Sequence, residues 1–344
     1  MNKKICLVVG ASRSGTTMMG RLIGSLGGGY CLPELHFFEL FANIGRLDKS
    51  LSLSEKTSAI TFLISACENG YLNATRPVDQ SSVAEVLEAL PEESDYIQTY
   101  VVTLVWFMDS RNLDYLVDQT PRNIFFYQVL QNRYPDIFCV VNMIRDPRAV
   151  LFSYRSKWLQ SRLGVEGFEK KEIFRTRVSY DPIVTSYLWR SAVRQSAQNS
   201  KKYLNVYYER MVSEPKKFLV EISQKFELGC VDNAQIALDK IELQNSSFSY
   251  EGESKGVSTN SINRWSGIQG LSSHELRICE YICKAEMLNN NYTRSVEKYD
   301  FKVLFSMVLQ LIPTFTRGIL MVAVNWRRSK TPLRSMLLRL FGRV

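Results

Sequence analysis

The sequence predicts an α/β fold, a P-loop-type three-layer arrangement in which helices flank a central parallel β-sheet. Three short apolar runs, at 5–9, 138–144 and 204–208, each stand directly before a segment with helical spacing. Strands of a parallel sheet are buried on both faces, so they form continuous apolar runs that alternate with helices. The length of 344 residues allows one large domain or two small ones. Of these residues, 45% are hydrophobic and 22% charged, an ordinary globular balance that can bury a core.

The first strand leads into a glycine-rich loop. Residues 10–17 read GASRSGTT, and apolar residues then recur at helical spacing. Such a loop surrounds a phosphate with backbone N–H groups at a helix N-terminus. A nucleoside-triphosphatase loop places Lys directly after the second glycine, but here that residue is Thr16 and the cation is Arg13. We therefore predict a phosphate-ester site of another kind, formed by Ser12, Arg13, Ser14, Gly15, Thr16 and Thr17.

Residues 40–120 form a long insert between the first two predicted strands. Their apolar spacing is mostly helical, and we expect a helical, substrate-side insert. Residues 160–181 and 251–263 are polar and are expected to be loops.

The second predicted strand ends in another anion-binding candidate. Arg145 stands at its carboxyl end, where open α/β sheets bind their ligands. Ser153 follows eight residues later, about two helical turns on. An arginine and a hydroxyl so placed can converge on one anion. Two separate phosphate sites indicate a ligand with two phosphate groups.

These motifs resemble the sulfotransferase family that uses 3′-phosphoadenosine 5′-phosphosulfate (PAPS). The loop resembles that family's 5′-phosphosulfate motif, and 145–153 (RDPRAVLFS) resembles its 3′-phosphate motif. The similarity extends over about residues 5–292. It departs from the family at Gln119, where relatives usually carry Lys, and at Arg13, where many do. Three further segments agree in order: 118–123 (DQTPRN), 208–212 (YERMV) and 263–265 (NRW).

The resemblance implies transfer of a sulfuryl group from PAPS, as co-substrate and without a metal, to a hydroxyl of a carbohydrate or lipid-linked glycan. Arg13 would stabilise the departing 5′-phosphate, and Arg145 with Ser153 would bind the 3′-phosphate. Arg264 would close over the nucleotide, with Lys255 as a competing candidate.

A hydroxyl acceptor calls for a general base, and the segment 32–38 (LPELHFF) offers two. The resemblance to carbohydrate sulfotransferases assigns this role to Glu34. His36 is the alternative, because its ordinary pKa is near neutral. Glu39 is expected to be a helix-surface charge. Three other charged residues are expected to be structural: Arg122, Asp146 and Arg148.

Charge divides the chain into a domain, 1–300, and a tail, 301–344. The net charge is +9, but no acidic residue follows Asp300, and the eight basic residues of the tail leave only +1 for the rest. This argues against a nucleic-acid-binding domain. The tail is apolar and basic, which favours an amphipathic helix at an anionic membrane surface. Packing on the domain or on a second copy, in a homodimer, remains open, whereas a transmembrane span is disfavoured by Arg317 near its centre.

The cysteines and histidines argue against a zinc site. Seven cysteines are scattered without a CxxC pair, and only two histidines are present. Because the phosphate loop begins at Gly10, we expect no N-terminal membrane anchor before it. We expect a cytoplasmic enzyme, associated through its tail with the inner membrane face. Two alternative functions stay open: a P-loop nucleotide kinase or NTPase, and an inactive nucleotide-binding adaptor.

Overall fold

The computed structural model describes residues 3–41, 47–162, 180–196, 203–229 and 259–295, together with the single positions 174, 301, 305, 308, 314, 316 and 320. Most of the predicted loops 160–181 and 251–263, including Lys255, lie outside these residues. So does nearly all of the tail. In the part of the chain that is described, no helix is both long enough and apolar enough to cross a bilayer.

A five-stranded parallel sheet forms the centre, in the order β2-β3-β1-β4-β5. This confirms the predicted α/β class. The strands are β1 Lys4–Gly10, β2 Gly29–Leu32, β3 Tyr115–Asp118, β4 Phe138–Ile144 and β5 Tyr203–Tyr207.

Helices cover both faces of the sheet. Those that connect β1 to β3 are α1 Thr16–Gly24, α2 Phe37–Phe41, α3 Leu53–Asn69, α4 Gln80–Ala89 and α5 Tyr96–Ser110. After β3 follow α6 Tyr127–Arg133, α7 Pro147–Arg162, α8 Pro182–Gln195, α9 Tyr208–Ser213, α10 Pro215–Phe226, α11 Ser273–Ile282 and α12 Lys284–Asn289. Single-turn 3₁₀ helices lie at Tyr71–Asn73, Pro121–Phe125, Thr259–Ser261 and Arg264–Ser266.

The alternation of side chains along β1 divides the core into two layers. Ile5, Leu7 and Val9 pack with the insert helices on one face, whereas Cys6 and Val8 pack with α1 and α10 on the other. Every one of these side chains is fully buried. A strand that is apolar on both faces can occupy only the middle of such a sheet, which explains why the predicted first strand is central.

The insert helices begin at well-defined caps. Ser52 and Glu55 form a capping box at the start of α3, and Asp95 and Gln98 form one at the start of α5. Each box satisfies backbone N–H groups that a helix start leaves without partners. Within the predicted insert 40–120, the described residues form α3, α4 and α5, but 115–118 belong to the strand β3, which the expectation of a helical insert did not include.

Candidate active site

The candidate site lies at the edge where the parallel strands end. The carboxyl ends of β1, β3 and β4 are Gly10, Asp118 and Ile144, and they lie side by side in the sheet. Open α/β sheets bind ligands in the crevice beyond these ends. The predicted phosphate loop and Arg145 each follow one of these strands directly, so the topology brings them to the same crevice.

Two glycines and one arginine give the phosphate loop its shape. The backbone φ is +139° at Gly10, +73° at Arg13 and +89° at Gly15. A Cβ atom on Gly10 would lie 2.4 Å from the carbonyl oxygen of Met143, and one on Gly15 would lie 2.6 Å from the ring of Tyr208. Both positions therefore require glycine, for reasons of conformation and of space.

The loop leaves polar groups available where α1 begins. Gly15 is the N-cap and no side chain caps the helix. The Ser14 N–H donates to the carbonyl of Ala11 at 3.1 Å, whereas the Ser14 hydroxyl is buried and has no partner among the described residues. The N–H groups of Thr16 and Thr17 lie in the first helical turn, where the helix dipole favours an anion.

Arg13 joins the loop to the helix that follows the second predicted anion site. Its Nε donates to the hydroxyl of Ser153 on α7 at 2.9 Å. Arg145 Nη1 donates to the backbone carbonyl of Arg13 at 3.0 Å. The structure thus brings Arg13, Arg145 and Ser153 into one cleft, although Ser153 contacts Arg13 rather than Arg145. Ser12 is half-buried in the same loop.

Arg145 is held by groups that carry no charge. Its guanidinium lies 4.0 Å from the centre of the Tyr208 ring, and Nη2 donates to the carbonyl of Ser261 at 3.1 Å. The Tyr208 hydroxyl lies 2.8 Å from that of Ser261. Arg145 Nε is buried with no hydrogen-bond partner among the described residues. Arg264 lies three residues after Ser261 in the chain. It is half-buried, and its guanidinium lies 5.9 Å from the centre of the Phe152 ring.

The segment after β2 carries three titratable side chains that form a chain of contacts with Arg122, which lies on the 3₁₀ turn after β3. His36 Nε2 lies 2.8 Å from Glu34 Oε2, and His36 Nδ1 lies 2.6 Å from Glu39 Oε2. Arg122 Nη1 donates to both oxygens of Glu39, at 2.6 and 2.7 Å. The expectation that Glu39 is a helix-surface charge is wrong, because its side chain is only 9% exposed and bridges His36 and Arg122.

These contacts shift the pKa values of Glu34, His36 and Arg122. Burial acts to raise the pKa of Glu34, but the hydrogen bond from His36 and the charges of His36 and Arg122 outweigh it, so that pKa is lowered. Burial acts to lower the pKa of His36, but its bonds to Glu34 and Glu39 raise it overall. Burial likewise acts to lower the pKa of Arg122, but the charge of Glu39 and the hydrogen bond to it raise that pKa overall.

Arg13 and Glu34 belong to one electrostatic environment. Burial lowers the pKa of Arg13, and the charge of Arg145 acts in the same direction, whereas the charge of Glu34 raises it. The candidate base and the loop cation therefore lie close enough for their charges to interact.

A buried network that sequence reasoning missed supports the Glu34 segment. Asp118 accepts hydrogen bonds from Tyr100 (2.6 Å), Asn123 (2.8 Å) and the hydroxyl of Thr120 (2.6 Å). The Thr120 oxygen in turn accepts from the N–H of Leu35 at 2.9 Å. The network fixes the chain beside Glu34 to the end of β3. The signal available in the sequence was the segment 118–123 (DQTPRN), which contains Asp118, Thr120 and Asn123.

Asp146 and Arg148 form a buried ion-pair cluster with α11. Arg148 Nη2 lies 2.7 Å from Asp146 Oδ2, and Nη1 lies 2.9 Å from Glu280 Oε1. The Arg148 guanidinium also lies 3.9 Å from the centre of the Trp265 ring. These contacts connect the start of α7 to the closing helix, in keeping with the structural role expected of both residues. Among the described residues, no group of His, Cys, Asp and Glu side chains could hold a metal ion.

Comparison with known proteins identifies the family. The family model described as "Sulfotransferase family" matches residues 6–232. No curated protein sequence matches the chain.

Several solved structures are similar to this chain. The sulfotransferase domain of the Synechococcus PCC 7002 olefin synthase is 18% identical, with a TM-score of 0.45, and the match covers 82% of this chain and 94% of that one. The sulfotransferase domain from the curacin biosynthetic pathway is 14% identical, with a TM-score of 0.47 and coverage of 82% and 98%. A sulfotransferase from Alicyclobacillus acidocaldarius is 13% identical, with a TM-score of 0.41 and coverage of 86% and 98%.

Proposed function

Because the chain belongs to the sulfotransferase family, and is therefore a transferase of sulfuryl groups, we propose that its donor is PAPS and its acceptor a hydroxyl of a carbohydrate or glycolipid. One observation carries the proposal. Arg13 donates to Ser153 and accepts, at its backbone carbonyl, from Arg145, so the phosphate loop and the strand-end arginine line a single cleft. A nucleotide with phosphates at its 5′ and 3′ positions fits two such neighbouring anion sites.

The residues present fit the donor. The buried Ser14 hydroxyl and Arg145 Nε lack partners among the described residues, and a buried polar group without a partner costs about 1–3 kcal/mol. A bound phosphate would supply both with an acceptor. The first turn of α1, with Gly15, Thr16 and Thr17, would bind the 5′-phosphate. Arg145, Ser153 and the half-buried Arg264 would bind the 3′-phosphate side.

Charge stabilisation is the main task of the protein in this reaction. PAPS supplies an activated sulfuryl group with a phosphate as leaving group. Arg13 would stabilise the negative charge that grows on the departing phosphate, and the α1 N-terminus would add its dipole. Removal of one such donor typically costs about 100- to 1,000-fold in kcat. The sulfuryl group carries less negative charge than a phosphoryl group, so arginine and backbone N–H groups suffice in this proposal without a metal.

Glu34 is the proposed general base. Its Oε2 is occupied by His36, while Oε1 makes no hydrogen bond with the described residues. Its side chain is 36% exposed, which gives an acceptor hydroxyl access to that oxygen. His36, the alternative base, has carboxylates at both ring nitrogens and so has no nitrogen left for the acceptor.

The test is a donor-turnover assay. The full chain is incubated with PAPS and a panel of carbohydrate and glycolipid acceptors, and adenosine 3′,5′-bisphosphate is measured by chromatography. We expect Arg13→Ala to lower kcat at least about a hundredfold. Glu34→Gln should lower kcat about 100- to 10,000-fold and leave nucleotide affinity, measured by calorimetry, unchanged. The control is Glu68→Gln, a surface change in an exposed ion pair on α3.

Two results would contradict the proposal. One is the absence of both nucleotide binding and turnover. The inactive-adaptor alternative predicts a different result, namely nucleotide binding without turnover. The other is Mg²⁺-dependent ATP hydrolysis in place of PAPS turnover, which would identify the chain as an NTPase or nucleotide kinase.

A further inference from the structure

His36 occupies an unusual position between two carboxylates. Nε2 lies 2.8 Å from Glu34 and Nδ1 lies 2.6 Å from Glu39. A neutral imidazole has one N–H and one lone pair, so it could satisfy only one ionised carboxylate and would direct its lone pair at the other. An imidazolium has two N–H groups and satisfies both. The geometry therefore favours the doubly protonated ring.

The surroundings of His36 fix the ring in place. The residue is 8% exposed and its φ is +50°, a left-handed conformation that is uncommon outside glycine. The Tyr71 ring packs edge-on at 4.3 Å between centroids. Behind Glu39, Arg122 donates to both of its oxygens. Backbone strain of this kind persists where the surrounding structure over-determines it, and it occurs preferentially at functional sites.

We infer that His36 is a positioning residue that stays an imidazolium and holds Glu34, through Oε2, as an ionised and oriented base whose Oε1 faces the acceptor. This inference rests on the proposed role of Glu34. The Nε2–H can donate to Oε2 both before and after Glu34 takes the acceptor proton on Oε1. The proton thus goes to Glu34, and His36 neither gains nor loses one during the transfer.

The charged groups around the pair are consistent with this assignment. Glu34 faces His36 on its own segment, Glu39 from α2 and Arg122 from the 3₁₀ turn after β3, and the charge of Arg13 acts from the phosphate loop. The four groups of the chain, two carboxylates and two cations, carry no net charge when His36 is protonated.

A direct test measures the protonation state without any enzyme assay. The chain contains only two histidines, His36 and His274, so ¹⁵N-histidine labelling gives two rings, and His36→Gln assigns them. At pH 7.5 we expect both nitrogens of His36 to be protonated in a two-bond ¹H–¹⁵N spectrum. In Glu39→Gln, this state should titrate away at a lower pH, because one of the two carboxylates that favour the cation has been neutralised. A neutral His36 ring at pH 7.5 in the unmodified protein would overturn the inference.

A kinetic test distinguishes positioning from a structural role. Glu34 must be ionised to act, so kcat/KM falls as the pH falls through its pKa. In His36→Gln the neighbouring cation is lost, and the acid limb of the profile should move upward by about one pH unit. An opposite charge within 4–6 Å typically shifts a carboxyl pKa by about 1–3 units, and the 36% exposure of the Glu34 side chain places the expected effect at the low end. His274→Gln is the control and should not move this limb.

The outcomes separate the two proposals. An unchanged acid limb in an active His36→Gln variant would refute the positioning role and leave sulfuryl transfer intact. If no PAPS turnover is found in any form of the protein, the proposed function fails, while the NMR measurement still decides the state of His36.

Discussion

Arg148→Met is the sharpest test of how the cleft is supported, because the structure makes this arginine the cation of a buried cluster. Asp146 and Glu280 lie 2.7 and 2.9 Å from it, and the exposed side-chain fractions are 6% for Arg148, 8% for Asp146 and 0% for Glu280. Methionine keeps much of the length of the arginine stem but removes a cation that lies within 3 Å of two buried carboxylates. Breaking a buried ion pair in this way costs about 3–5 kcal/mol.

The matched control is Arg111→Met. Arg111 also forms an ion pair, with Glu68, but the side chains are 40% and 49% exposed. Exposed pairs contribute about 0–1 kcal/mol. Arg111 also lies 4.2 Å from the centre of the Phe107 ring, a contact that adds about 0.5–1 kcal/mol at an exposed site. The expected cost of the control is therefore below about 2 kcal/mol.

Urea unfolding followed by fluorescence measures both costs as differences in the free energy of unfolding. A further variant, Arg148→Met with Asp146→Asn and Glu280→Gln, removes the unpaired charges. It should recover more than half of the loss, because most of that loss arises from uncompensated buried charge rather than from the lost attraction. If Arg148→Met costs no more than Arg111→Met, or if the triple variant recovers nothing, the assigned role of the buried cluster is incorrect.

Two further predictions concern the phosphate loop and the tail. Gly15→Ala should weaken adenosine 3′,5′-bisphosphate binding at least about tenfold in calorimetry, because φ is +89° and the new Cβ would meet an aromatic ring at 2.6 Å; Gly267→Ala, whose Cβ would meet nothing closer than 3.8 Å, should leave affinity unchanged. In the tail, Phe301 and Phe305 are 77% and 57% exposed, so we predict that the full chain sediments with vesicles containing anionic lipid and that Phe301→Ser with Phe305→Ser reduces this binding. Leu53→Ser, at a residue of the domain that is 70% exposed, should not reduce it, and equal sedimentation of all three proteins would contradict the tail prediction.

The strands that the sequence predicted differ in character from the two it did not. β1 and β4 have seven residues each, and β5 has five. β2 and β3 have only four residues each, GYCL and YLVD. Four residues are too few for a continuous apolar run to stand out from a loop or from the end of a helix. Their place in the sheet is determined by pairing between strands, β3 with β1 and β2 with β3, which is tertiary information.

The site shows the same division between local and distant information. The phosphate loop and Arg145 could be predicted because the topology places residues after parallel strands at one edge of the sheet. The surface position predicted for Glu39 was wrong because its partner Arg122 is 83 residues away in sequence. The contact between Arg13 and Ser153 spans 140 residues, so no local pattern could have assigned Ser153 to that arginine.

The partners of four of the arginines at the site separate those that support the fold from those available to a ligand. Arg122 and Arg148 contact carboxylates, so their charge is already balanced within the protein. Arg13 donates to the Ser153 hydroxyl, and Arg145 is held by two backbone carbonyls and an aromatic ring. Carbonyls, hydroxyls and rings orient a guanidinium without cancelling its net charge. Arg13 and Arg145 are two oriented cations with no carboxylate partner among the described residues, and burial, with the charge of Arg145 as a smaller contribution, lowers the pKa of Arg13. In the proposed function, a doubly phosphorylated ligand would bring negative charge to both guanidinium groups, which is a physical reason to expect the site to prefer such a nucleotide over an uncharged molecule of the same shape.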